Sequence, residues 1–194
     1  MTDSLKKPDQ AEAEAAVRTL LAWLGDNPDR AGLKRTPARV LNCYKEWFAG
    51  YDVDPAAILG SSFPDADGYS GMVTLTDVDF ESHCEHHMAP FIGKAHVAYM
   101  PDDRVVGVSK IVKVINAFAK RLQVQEKLTK QIAECIHHEL NPLGVAVVLE
   151  AQHECMSTRG VYKKDIAMVT STMLGCFDTD TQLRDEFLRK IGRG

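Results

Sequence analysis

The sequence lacks any long hydrophobic run. None of its apolar stretches approaches the ~20 residues that a membrane-spanning helix needs, so no such helix is expected. It opens MTDSLKKPDQAEAEAA, without the apolar stretch of a signal peptide. Cysteine is scarce and odd in number: the five at positions 43, 84, 135, 155 and 176 do not make a disulfide framework. A reduced, cytoplasmic protein is the expectation. Basic charge is not in excess either, since 23 Lys and Arg stand against 27 Asp and Glu for a net charge of −4. That balance excludes a general nucleic-acid binder, although a local basic cluster can still hold an anion. There is no internal repeat and no low-complexity segment. What is present is ordinary: 45% hydrophobic and 26% charged residues exclude a disordered regulator, and 194 residues make one domain or one domain plus an appendage.

Hydrophobic spacing supplies the element order. Val17, Leu20, Leu21 and Leu24 recur with helical period between Ala11 and Gly25. A second helix is expected from Thr36 as N-cap and Pro37 as first helical residue, ending at Gly50. The Pro-, Gly-, Ser- and Asp-rich stretch 51–71 reads as a linker loop. Beyond it, 72–81 and 94–100 read as strands. Residues 109–121 and 124–140 follow as helices, Asn141-Pro142-Leu143-Gly144 as a turn, and 145–155 and about 165–174 as strands. A short helix is expected over 181–191. The chain thus divides into an N-terminal helical segment (1–50), the linker (51–71) and a principal domain (72–194). The ββααββ order in that domain predicts an α+β fold, with an antiparallel sheet carrying helices on one face.

The densest chemistry lies in Ser82-His83-Cys84-Glu85-His86-His87, which packs a cysteine and three of the seven histidines into 83–87. A cysteine and a histidine three residues apart, beside a further histidine, suit a transition metal, because thiolate and imidazole are the donors zinc prefers. On the expected strand 145–155, His153 and Cys155 are two apart and would face the same way. They supply a second half-site. Cys84, His87 and Cys155 would then be three protein ligands, leaving a fourth position to water, with His86 and His153 beside it to move protons near neutral pH. Cys43, Cys135 and Cys176 have no such company and read as structural thiols. Ser109 in GVSK reads as an N-cap whose helix start attracts anions, with Lys110, Lys113 and Arg159 able to add to that field. In QVQEK, a buried carboxylate at Glu126, next to Gln125, would be able to accept two N–H bonds from a guanine; a surface position is the alternative.

Taken together, FESHCEHHMAPFIGKAHVAYMP, VVGVSKI, RLQVQEKLTKQIAE, HECMSTRGV and MVTSTMLG resemble GTP cyclohydrolase I. The likeness runs in order from GLKRTPARV to EFL and covers most of the chain. It implies the tunnelling fold, with ββααββ subunits in rings that stack as a homodecamer with active sites between subunits. It implies Cys84, His87 and Cys155 as ligands of Zn2+, and His86 and His153 as catalytic. Gln125 and Glu126 would hold the guanine, and Ser109, Lys110, Lys113, Arg159 and Arg39 the triphosphate and ribose. Lys113 stands where that family usually has Arg, which keeps the charge but loses the planar fork. The implied reaction takes GTP and water to 7,8-dihydroneopterin triphosphate and formate, without nucleic acid or membrane. Three rivals stand beside it: a zinc nucleobase deaminase, which would need a paired P-C-x-x-C, another tunnelling-fold enzyme of purines or pterins, and a structural zinc assembly module.

Overall fold

The computed structural model describes residues 7–60, 63–64, 69 and 71–193, in two compact units, 1–48 and 49–194. In the first, helix α1 spans Gln10–Trp23 and α2 spans Thr36–Trp47. Asp9 caps α1 in a capping box with Glu12. Thr36 is the first helical residue of α2, not its cap; Arg35 holds the cap position without a side-chain bond, and Pro37 sits one residue further in.

The second unit begins inside the expected linker. Ala49–Asp52 form a 3-10 turn and Pro55–Leu59 a short helix, α3, capped by Asp54. The Pro of the sequence starts this helix because its missing N–H costs nothing in the first turn. The Phe63–Pro64 pairing (β1) follows, and the remainder of 61–70, Tyr69 apart, lies outside the described residues. Then come β2 (Val73–Cys84), β3 (Pro90–Met100), β4 (Arg104–Val105), α4 (Val108–Ala119), β5 (Leu122–Gln123) and α5 (Gln125–Leu140). The chain closes with β6 (Gly144–His153), α6 (Glu154–Ser157), β7 (Ala167–Gly175), α7 (Cys176–Thr179) and α8 (Thr181–Lys190). The ββααββ order of the long elements is as expected. Leaving the two-residue strands aside, neighbouring strands run antiparallel, in sheet order β5-β2-β3-β6-β7.

Each face of the sheet has its own core. Ile111, Val114 and Ile115 of α4 and Leu128, Ile132 and Ile136 of α5 are fully buried against Ala95, Val97, Val145, Val147 and Leu149. The i, i+4 spacing on α5 puts its three apolar side chains on one stripe, and burying each is worth about 1.5–3 kcal/mol. α5 stops at Asn141, whose left-handed backbone (φ 48°) precedes Pro142, so the helix has no way to continue. The alternate residues Ala98, Ala146 and Val148 face the other way and meet Phe177 and Phe187. Helices therefore cover parts of both faces: the long pair on one, α7 and α8 on the other. No helix among the described residues is long and apolar enough to cross a membrane.

Arg121 fastens the 3-10 turn to the end of α4. Its Nε donates to the carbonyls of Gly50 and Ala117 (2.9 Å each) and its Nη2 to that of Val53 (3.0 Å). The turn approaches so closely that a Cβ on Gly50 would land on the Ala117 and Lys120 carbonyl oxygens. Gly50→Ala should therefore cost about 1–3 kcal/mol, or roughly 2–4 °C in melting midpoint for each kcal/mol. A thermal melt with an unchanged midpoint would show that the turn does not sit against α4.

Candidate metal centre

The site is assembled by strand register. Ser82 of β2 lies opposite Phe91 of β3, and Phe91 lies opposite His153 of β6. The C-terminal ends of β2 and β6 thus flank the start of β3, although their residues are far apart in sequence. Beyond β2 the chain makes a closed turn. Cys84 N–H donates to Ala89 O, Met88 N–H to Cys84 O (2.8 Å each), and Glu85 N–H to Gln123 O (3.0 Å). Met88 adopts a left-handed backbone (φ 53°), an uncommon conformation for a non-glycine residue. The outcome is that Cys84 is buried and His86 and His87 stand exposed on the turn.

Cys155 arrives differently from expectation. β6 ends at His153, and Cys155 lies in the helical turn Glu154–Ser157, so the two do not share a strand face. The turn nevertheless delivers the sulfur. Ligand atoms of Cys84, His87 and Cys155 all lie within 4.8 Å of one another. Tetrahedral zinc would want its sulfur and nitrogen donors about 3.5–3.8 Å apart, so the three would need to draw in by no more than about 1.3 Å. Two soft sulfurs and one imidazole are a donor set that fits zinc. Burial, and then the neighbouring Cys84, push the Cys155 thiol above its ordinary range.

Around this cluster stand three further side chains. His86 Nδ1 is 3.7 Å from Cys84 Sγ. Arg159 Nη1 is 2.8 Å from His87 Nε2; a guanidinium only donates, so that ring nitrogen accepts. His153 is half-buried, stacked on Phe91 with ring centroids 4.5 Å apart and planes 3° from parallel. Its Nε2 is 2.8 Å from Gln125 Oε1. Burial lowers the His153 pKa, and the charge of Glu126 works against that shift.

The remaining expected contacts divide. Glu126 is exposed at the start of α5, on the surface and not buried. Gln125 is 1% exposed, and its amide is engaged internally: Nε2 faces Leu149 O (3.2 Å), Met168 O (3.0 Å) and Thr170 Oγ1 (3.1 Å). Those internal partners are what the structure shows of that side chain. Ser109 is not a cap; Gly107 is, and Ser109 and Lys110 fall within the first turn of α4, with exposed Lys113 one turn on. Arg39 lies exposed on α2 of the N-terminal unit. Thr129 and Thr170, which hold Gln125, went unread in the sequence. The available signal was a polar Thr129 four residues from Gln125, beside the apolar stripe of α5.

The profile of the GTP cyclohydrolase I family matches residues 13–192. The chain belongs to the GTP cyclohydrolase I family. It is 52% identical to GTP cyclohydrolase 1 of Maricaulis maris (strain MCS10), over 96% of this chain and 91% of that one. With the protein of the same name from Hyphomonas neptunium (strain ATCC 15444) it shares 53% identity over 98% and 93%. With that of Brucella abortus (strain S19) it shares 54% over 96% and 87%. Among solved structures, the archaeosine synthase QueF-Like in the apo form aligns with a TM-score of 0.46 at 18% identity, over 56% of this chain and 96% of that chain.

In this family member the raised Cys155 thiol sets the sign of a pH effect. Thiolates bind metal and thiols do not, so zinc uptake must expel protons, and its affinity must weaken as pH falls. Calorimetric titration of the metal-free protein with zinc, in buffers of different ionisation enthalpy, should detect proton release that disappears in Cys155→Ser together with tight binding. Uptake without proton release would mean that the sulfurs are not ligands.

Proposed function

We propose that this protein is a zinc-dependent GTP cyclohydrolase I, which opens GTP at purine C8 and yields 7,8-dihydroneopterin triphosphate and formate. The observation that carries this reading is the convergence of Cys84, His87 and Cys155 with two histidines at its side, in a chain of this family. Cys84, His87 and Cys155 would hold the metal, and the short set leaves one coordination position for solvent. When bound, zinc supplies a Lewis acid that makes a nucleophile of water near neutral pH.

The protein's own residues do the rest. His86 and His153 exchange protons with the purine nitrogen and the ribose oxygen, the work an imidazole is suited to. Glu126, exposed at the first turn of α5, accepts the guanine N–H groups. Ser109, Lys110, Lys113, Arg159 and Arg39 bind triphosphate and ribose, and Lys113 does so as a point charge in place of a fork. Arg159 must first leave His87. Whichever ring nitrogen ligates the metal, Nε2 then carries either the ion or a proton and no longer accepts from a guanidinium.

Assembly into a homodecamer of two pentamers with sites between subunits is part of the proposal. Among the described residues, β7 forms one edge of the sheet, and the other edge of β2 carries only the two-residue β5. Open strand edges of this length are pairing surfaces, and head-to-tail pairing of two unlike edges closes naturally into rings. The five free cysteines suit a reduced cytoplasmic setting.

Zinc-loaded protein incubated with GTP should release formate in equal amount to a pterin that fluoresces after oxidation; an assembled, metal-replete sample giving neither product rejects the function. Glu126→Ala should raise the KM for GTP at least about tenfold, the worth of a charged hydrogen bond, while leaving the zinc content unchanged. An unaltered KM would remove Glu126 from the guanine site.

A further inference from the structure

β2 carries a surplus residue near its start. Leu75 lies opposite Val97 and Val78 opposite Ala95, so Thr76 and Asp77 together stand against the single residue His96 of β3. Two residues against one make a β-bulge, and a bulge disrupts the ladder where it sits. Asp77 takes a left-handed backbone there (φ 57°), which Asp tolerates better than most residues. Its N–H is met by a side chain: Nδ1 of His96 lies 3.2 Å away. A backbone N–H only donates, so that ring nitrogen accepts and carries no hydrogen. His96 is 5% exposed and lies opposite Val148 of the second core, so water has little room to replace it. Four charged groups act on the ring. Asp77 of β2 and Glu150 of β6 favour a charge on it, whereas Lys94 of β3 and Arg193 beyond α8 oppose one. Glu150 is already paired with Arg193, and Lys94 with Asp79 at 2.7 Å. Burial outweighs the two carboxylates and lowers the pKa of the ring.

We infer that His96 and the Asp77 bulge form a proton-sensitive latch: the neutral ring closes the bulge by accepting the Asp77 N–H, and protonation opens it. The proton comes from solvent and adds to Nδ1, the nitrogen that was accepting. A doubly protonated imidazole has two donors and no acceptor, so no rotation of the ring restores the bond. What the latch frees is local. Ahead of the bulge, β2 is held to β3 by the three pairs Val73–Tyr99, Thr74–Ala98 and Leu75–Val97. Among the described residues, β5 pairs with β2 at His83 and Cys84 alone, so this stretch has a ladder on one side. Beyond the bulge the pairing from Val78 to His83 continues and keeps the Cys84 end in place. The fold favours the neutral ring, so the latch is closed above the ordinary histidine pKa near 6.5 and weakens as pH falls below it. The latch is independent of the proposed reaction, in which His96 is neither a metal ligand nor a proton carrier.

Hydrogen–deuterium exchange of the zinc-loaded protein, read by mass spectrometry on peptides covering 73–79, tests the latch without any assay of activity. After correction for chemical exchange, protection should fall toward about tenfold between about pH 7.5 and about pH 5.5. An opened ring of ordinary pKa is then roughly ten parts charged to one neutral. Peptides from the buried stripe of α5 should keep their protection. His96→Asn places an amide oxygen close to where Nδ1 stood, an acceptor that does not titrate, and its protection should be the same at both pH values. His96→Leu removes the acceptor, so 73–79 should exchange faster than wild type at the higher pH and no faster on acidification. Equal wild-type protection at both pH values overturns the inference, as does a fall of the same size in α5 or an undiminished fall in His96→Asn. Folded His96→Leu as well protected as wild type at the higher pH overturns it too. Wild type and His96→Asn decide the matter even if His96→Leu does not fold.

Discussion

The antiparallel register of β2, β3 and β6 is the constraint on which the site depends. The β3–β6 ladder runs unbroken from Phe91 opposite His153 to Met100 opposite Gly144. A shift of one residue along it would turn every side chain to the other face of the sheet. The sheet's two different cores forbid that shift, since Val145, Val147 and Leu149 would exchange places with Ala146 and Val148. Gly93 enforces the same register, because a Cβ there would collide with Ala151 and the Glu150 carbonyl of the neighbouring strand. β2 does carry an irregularity, between Leu75 and Val78, where Asp77 adopts a left-handed backbone (φ 57°). It lies at the far end from Cys84. From Val78 to His83 the pairing is regular, so the end that presents the cysteine is held as firmly as the core itself.

Packing on one face and chemistry at one end are therefore a single design. α5 buries Leu128, Ile132 and Ile136, and the same helix starts with Gln125, whose side chain reaches across to β6 and β7. The apolar stripe fixes where the helix lies, which fixes how far Gln125 stands from His153. β5, only two residues long, contributes from the other side: Gln123 O accepts from Glu85 N–H and steadies the turn bearing His86 and His87. Rigid elements hold the buried half of the cluster, while its histidine comes from a turn.

Residue type and period were legible in the sequence; the direction of individual side chains was less so. Helical spacing located the pair α4 and α5 to within a residue or two, because a stripe of Ile, Val and Leu has few other uses. The cluster Cys84, His87 and Cys155 was legible from donor chemistry, yet the reason given for Cys155 failed. Strand periodicity cannot see that β6 ends at His153, since a helical turn of four residues has no period to read. The helix within 51–71 was hidden for a related reason: Pro and Asp, read as loop formers, here serve as first helical residue and cap. Gln125 shows the deepest gap. Whether a glutamine amide meets a ligand or a carbonyl depends on partners 24 to 45 residues further along the chain, and no local pattern encodes that.

An amide, and not a carboxylate, at position 125 follows from the charges already present. Two thiolates would balance the charge of a zinc ion held here, so a third anion buried at 2.8 Å from His153 would leave the region net negative and carry a large desolvation cost. The neutral amide orients the ring without charging it. Glu126, one residue on and exposed, supplies only a screened pull in the opposite direction to burial, and burial prevails. The order Gln-Glu at the start of α5 thus sets a buried, neutral amide against the imidazole and turns the carboxylate out to solvent.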